Sequence, residues 1–146
     1  MKIKTGDVMD LWNGVEVLAA RRFATVQSSY RFSRLRGQVA QVMKVVNERR
    51  DDIRARLMQP DSDPKKQGNY VPKDGKQAEV DSEWKRLREE DLEIDLHRMD
   101  LQDLEGMTVI LHAWEEGSVV DKVLPAPPEA WILDLMDRCG CLKAAE

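Results

Sequence analysis

Between Phe32 and Leu57, seven apolar residues (Phe32, Leu35, Val39, Val42, Val46, Ile53 and Leu57) recur at spacings of three, four or seven with no proline among them. Such a near-heptad stripe predicts a single helix from Tyr30 to Met58, roughly 40 Å long at ~1.5 Å per residue, with one face that must be covered along its length. Arg49 falls where the stripe expects an apolar side chain and Gly37 lies on the opposite side. The stripe is therefore too imperfect for a long uninterrupted coiled coil. Pro60 ends it, because proline cannot donate to the helix ladder and disfavours helical geometry in the residue before it.

The remaining elements are expected to cover this stripe. A first helix from Thr5, read as its cap, to about Arg22 carries Val8, Leu11, Trp12, Val15, Leu18 and Ala19 on one face, with Gly14 weakening its middle. The FATVQSS segment breaks that pattern, and Ser28 or Ser29 is the expected cap of the second helix. Residues 59–78 hold three prolines and two glycines and read as an exposed loop. A third helix from Glu79 to Glu90, with Val80, Trp84 and Leu87 on one side, would fold back antiparallel to the second. Leu92, Ile94 and Leu96 then alternate with Glu93, Asp95 and His97, the period of a half-buried strand whose partner is either the KIK of residues 2–4 or the MTVILHAW of residues 107–114. Thr108–Trp114 reads either as a strand, turning at Gly117 into a second one, or as a helix over 107–116. Pro128 would open a last helix from Glu129 to about Arg138. The predicted fold is α+β and mainly helical, one domain over residues 1–146: a long antiparallel helical hairpin over 5–91, a small β or mixed region over 92–124 and a C-terminal helix over 128–139.

Signatures of catalysis are absent: no glycine-rich phosphate loop, nucleophile elbow, zinc-binding helix or calcium loop occurs. His97 and His112 read as surface or packed side chains. Cys139 and Cys141 read as a free, partly buried pair at the end of the last helix, since a zinc set would have to recruit both histidines from a distance. Glu93 and Asp95 share one strand face and read as solvated rather than metal-ligating. No catalytic residue, cofactor or metal is expected. The opening MKIKTGD lacks a signal peptide's apolar run, and no stretch approaches the length of a membrane span, so the chain is expected to stay in the compartment that makes it, with no membrane partner.

Charge is abundant at 34% of residues but nearly balanced, with a net of −4. Its distribution is uneven. Residues 31–56 carry eight basic against three acidic side chains, a net +5, whereas residues 79–105 carry eleven acidic against four basic, a net −7. Opposite segments in one hairpin most simply satisfy each other. The same split would suit contacts between copies, and the basic face of 31–56 is also the region that could follow nucleic-acid phosphates. Of the four tryptophans, Trp12 and Trp84 read as core. Trp114 and Trp131, set in polar or proline-rich sequence, are candidate partner contacts, together with Tyr70 in the loop, Arg49, Arg50, Glu93 and Asp95.

The opening KIKTGDVMDLWNGVEVLAARRF, the tyrosine-led helix ending in RDDIRARL, and the alternating LEIDLHRMDLQDLEG resemble a group of small tailed-bacteriophage proteins of uncharacterised function, a helical-hairpin accessory family. Thr5, Gly6, Tyr30, Leu35, Arg50 and Leu57 stand where that pattern wants them. Arg21–Arg22 and the length after Gly106 depart from it. The resemblance implies a non-enzymatic virion neck, connector or capsid accessory protein, made in the host cytoplasm and resident in the virion if structural. Its expected partners are copies of itself or other phage structural proteins. A small inhibitor of a host protein, or a nucleic-acid-binding helix using residues 31–56, are the alternatives.

Overall fold

The computed structural model of the chain describes residues 1–143 and shows an α+β fold with five α-helices and four two-stranded sheets among them. Strand β1 (Lys2–Lys4) leads directly into α1 (Thr5–Ala19), whose Val8, Leu11, Val15 and Leu18 are buried at spacings of three and four. Lys4, not Thr5, occupies the cap position. Thr5 is buried instead, and both its backbone N–H and its hydroxyl donate to the Glu90 carbonyl at 2.9 Å. Helix α1 stops at Ala19, short of Arg22, because Arg22 pairs with Thr108 through backbone hydrogen bonds of 2.8 and 3.0 Å.

Helix α2 (Val26–Leu57) runs for 32 residues and starts before the expected Ser28 or Ser29. Its cap is Thr25, whose hydroxyl oxygen accepts the Ser28 backbone N–H at 3.0 Å. Phe32, Leu35, Val39, Val46, Ile53 and Leu57 are buried as the stripe predicts, but Met43 replaces Val42 as the buried residue. One turn beyond Val46, Arg50 takes the seam position assigned to Arg49 and sets its guanidinium 5.5 Å from the centre of the Trp84 ring. An α-helix drifts against a 3.5-residue repeat, so a stripe counted in heptads slips in phase along eight turns.

The expected loop over residues 59–78 contains regular structure. Strands β2 (Met58–Pro60) and β3 (Tyr70–Pro72) pair antiparallel, with a short 3-10 turn over Pro64–Lys66 between them. Lys73 donates its N–H to the Leu57 carbonyl at 2.9 Å, so the ribbon caps the end of α2. Helix α3 (Gln77–Glu89) follows, placing Val80 in a small cluster with Ile53 and Leu57 and placing Leu87 in the main core. Strand β4 (Asp91–Glu93) pairs antiparallel with β1, choosing the KIK partner. The regular ladder ends at Glu93, yet the alternation continues: Leu96 is buried and Asp95 exposed.

Strand β5 (Met99–Asp100) and the single-turn α4 (Leu101–Leu104) precede β6 (Thr108–Glu115) and β7 (Ser118–Pro125), which form an eight-residue antiparallel hairpin. The strand reading of 107–124 therefore holds over the helical one. Glu129 occupies the cap position of helix α5 (Ala130–Arg138) without a side-chain capping bond, leaving Pro128 outside it. It crosses α1 where Gly14 is buried; a Cβ on Gly14 would sit 3.2 Å from an Ile132 methyl group, so the glycine that weakens α1 also admits α5. Strand β8 (Leu142–Lys143) runs parallel to β5. The main core gathers residues of α1, α2, α3, α4 and α5, with α1 packed against α2, α3 and α5.

Candidate interaction surface

The β6–β7 hairpin is the part of the molecule least engaged with the rest. Its two-residue turn places Glu116 at φ 51° and Gly117 at φ 78°, the left-handed pair that matches the twist of the flanking strands. With that turn fixed, Ile110 pairs with Val123 and Trp114 with Val119 on one face, while Val109 pairs with Leu124 and Ala113 with Val120 on the other. Both faces thus carry apolar pairs, interrupted by His112–Asp121 on the first and by Leu111–Lys122 and Glu115–Ser118 on the second. Both faces are open: Trp114 is 75% exposed, Val123 63%, Val119 57% and Leu111 50%. From Thr108 to Trp131 no residue is buried.

The hairpin is nevertheless held firmly at its root. Arg22 bridges Thr108 through the backbone, and Ala126 donates to the Met107 carbonyl at 2.8 Å. The Arg21 side chain, only 13% exposed, donates to the Pro127 carbonyl at 3.0 Å and forms an ion pair with Glu129. The Arg21 hydrogen bond holds the Glu129 carboxyl below its ordinary range. The arginine pair that departs from the phage-protein pattern is therefore the anchor of the arm. Beyond Arg22, no other described strand pairs with either edge of the hairpin.

A second apolar surface lies on the body. Val42, Val45 and Val46 of α2, Leu87 of α3, and Leu92 and Ile94 of the β4 segment line a groove of about 350 Å³. Thr5, Gln38, Gln41, Arg49 and Glu90 complete its walls, and Val45 is 56% exposed. Arg49 and Glu90 neutralise each other across it at 2.7 Å. Sequence reasoning missed this groove, because its walls come from segments some forty residues apart in the chain.

The seven residues singled out from sequence do not converge. Trp114 stands near the hairpin tip; Trp131, 46% exposed, lines a shallow polar cleft with Asp10 and Arg138; Tyr70, 46% exposed, lies under the Arg54 guanidinium at 5.4 Å. Arg49 belongs to the groove, whereas Arg50 covers Trp84 with its Nε buried and unpartnered. Glu93 and Asp95 are exposed, 3.7 and 3.1 Å from the Met1 amine. None of the four tryptophans is fully buried: Trp12 and Trp84, read as core, are half-buried against it.

The basic face of α2 is largely occupied. Arg31 binds Asp103 at 2.8 Å, Arg36 binds Glu16 at 3.1 Å, Arg49 binds Glu90, and Arg56 lies 2.9 Å from Asp52 and 3.9 Å from Glu83. With Arg50 and Arg54 stacked on rings, only Arg34 and Lys44 of the eight basic side chains have neither a carboxylate nor an aromatic partner among the described residues. Asp103, 5% exposed, also accepts the Ser28 hydroxyl at 3.0 Å and the Asp100 backbone N–H at 2.9 Å. Burial pushes its pKa up, but these hydrogen bonds and the Arg31 charge outweigh it and carry the carboxyl below its ordinary value.

The remaining reactive groups are dispersed. His97 is half-buried with its backbone N–H donated to Gln38, and His112 is exposed beside Asp121 on the hairpin. Cys139 and Cys141 are free and more deeply buried than expected, at 1% and 0% exposure; burial pushes their thiols up to about 11 and about 12. No group of three or more His, Cys, Asp or Glu among the described residues is arranged to hold a metal ion. No described helix is long and apolar enough to cross a membrane. No family model, curated protein or solved structure matches the chain.

Proposed function

We propose that this chain is a non-enzymatic phage structural or assembly protein, a neck, connector or capsid accessory component that works by docking against other proteins. The observation that carries this reading is the β6–β7 hairpin, with exposed apolar pairs on both faces, fixed at its root and covered by none of the described residues. On one face Trp114, Val119 and Val123, each more than half exposed, form a cluster of large apolar side chains open to solvent. A free two-stranded hairpin is marginal in water, so a rooted one with both faces open is built to be completed by a partner. The body behind it acts as a rigid mount. In this reading α2 and α3 form an antiparallel helical hairpin, supported by Val80 beside Ile53 and Leu57 and by Glu90 beside Arg49.

The occupied basic face of α2 favours this reading over binding of nucleic acid along residues 31–56, because phosphates would have to displace carboxylates already seated there. The test is quantitative mass spectrometry of purified particles of the encoding phage. A fixed copy number that matches a symmetric ring or vertex supports a virion role. Particles free of the chain, together with tight capture of a single host protein, would replace it with the inhibitor reading.

A further inference from the structure

The geometry points to a second copy of this chain as the partner: the hairpin of one molecule seats Trp114 in the Val42–Val45–Leu92 groove of the next, joining copies head to tail. This rests on the docking role proposed above and specifies it. The hairpin offers an exposed apolar surface and the groove an apolar concavity, and among the described residues neither is filled by the other, since no hairpin residue lines the groove. The hairpin is rooted at Arg22, just past the end of α1, whereas Thr5 in the groove wall opens that helix; α1 alone sets its two ends about 21 Å apart at ~1.5 Å per residue.

Size and charge both fit. A groove of about 350 Å³ is near the lower limit for ligand-sized cavities, ~300 to 1,000 Å³, and suits one aromatic side chain with a small neighbour such as Val119. The hairpin end carries Glu115, Glu116 and Asp121 against Lys122, a net −2; Lys122 pairs with Glu115 and His112 contacts Asp121, so Glu116 is the acid that stays without a cationic partner among the described residues. The two basic side chains of α2 without a carboxylate or ring among the described residues, Arg34 and Lys44, flank the groove: Arg34 continues the Gln38–Gln41–Val45 row by one turn, and Lys44 is adjacent to Val45. An acidic tip therefore meets a basic rim around an apolar centre, the arrangement that steers and registers an interface. Because the two surfaces are different, a contact used in one direction is heterologous and its repetition gives a ring or an open filament, whereas two copies that exchange hairpins reciprocally close a dimer.

The experiment is size-exclusion chromatography with light scattering on the wild-type chain, Trp114→Ser, Val45→Glu and an equimolar mixture of the two variants. Both positions are more than half exposed, so at a concentration where wild type is monomeric both variants should keep its circular dichroism and melting temperature. Wild type should grow in mass with concentration, each variant alone should stay monomeric, and the mixture should form a two-chain complex that grows no further. In that mixture the intact hairpin of Val45→Glu meets the intact groove of Trp114→Ser. Association of Val45→Glu alone would overturn the inference in favour of hairpin-to-hairpin pairing. A wild-type chain that stays monomeric up to its solubility limit would overturn self-assembly altogether, while the particle measurement would still decide the structural role.

Discussion

Replacing Asp103 with alanine removes the acceptor that ties the start of α2 to α4. Three donors lose an acceptor: the Ser28 hydroxyl, the Arg31 guanidinium and the Asp100 backbone N–H. The buried Ser28 hydroxyl keeps the Thr25 hydroxyl at 2.8 Å as a partner, so its loss costs about 1 kcal/mol. Arg31 keeps a third of its side chain in water, and Asp100 at 3.9 Å, so its loss costs at most ~1 kcal/mol. Loss of the bond to Asp100 at the start of α4 costs about 1 kcal/mol more. The total, about 2–3 kcal/mol, should lower the melting temperature by about 5–10 °C for a chain of this size. Asp103→Asn retains an acceptor oxygen and should cost about half as much. Because the folded carboxyl titrates below its unfolded value of ~3.9, its contribution is fully present above that pH and is lost as pH falls through the folded value. Urea denaturation followed by circular dichroism should thus show a gap between wild type and Asp103→Ala at pH 7 that narrows below about pH 4. A loss under 1 kcal/mol at pH 7, or a gap independent of pH, would refute this account of the network.

Burial keeps Cys139 and Cys141 protonated well above the ordinary thiol range, so at pH 8 a thiol reagent should label the native chain only as fast as it opens; immediate labelling of both would contradict their placement. Unfolded thiols ionise near ~8.5 while the folded ones hold their protons to about 11 and about 12, so the urea midpoint should begin to fall as pH rises above about 9. Gly14→Val should lower stability by about 1–3 kcal/mol through its clash with Ile132, and an unchanged denaturation curve would mean that α5 can shift aside. Arg50→Leu should raise stability by about 1 kcal/mol, since it removes a buried unpartnered Nε at the cost of one ring contact; a decrease of that size would show that the stacking on Trp84 dominates. Trp114→Ser should leave stability within about 0.5 kcal/mol of wild type by thermal melt, and a larger fall would show that the indole packs on its own body.

The long helix was legible because its buried residues repeat over eight turns, enough to outvote any single exception. Phase was less legible: Met43 and Arg50, a flexible thioether and a cation with a long apolar stem, occupy places where counting by heptads assigned Val42 and Arg49. The ribbon of β2 and β3 escaped notice because strands of three residues carry no periodicity, and two of their six residues are prolines. Helix starts shifted by a few residues, as several polar residues near each start can cap and the choice depends on tertiary partners, such as Thr5 spent on Glu90. Trp114 was singled out by its polar flanks, and it is exposed on the hairpin. The apolar residues around it, Leu111, Val119 and Val123, looked like ordinary strand interior, since nothing local distinguishes a covered face from one waiting for cover.

The main core ends at Met107 and resumes at Ile132, and every residue between them lies outside it. On the docking role proposed above, a substitution in the body is tested first by folding, whereas a substitution in the arm leaves the fold intact and acts on docking alone. The contact surface of the arm could then be altered, or exchanged whole at the Arg21–Arg22 anchor, without repacking the core.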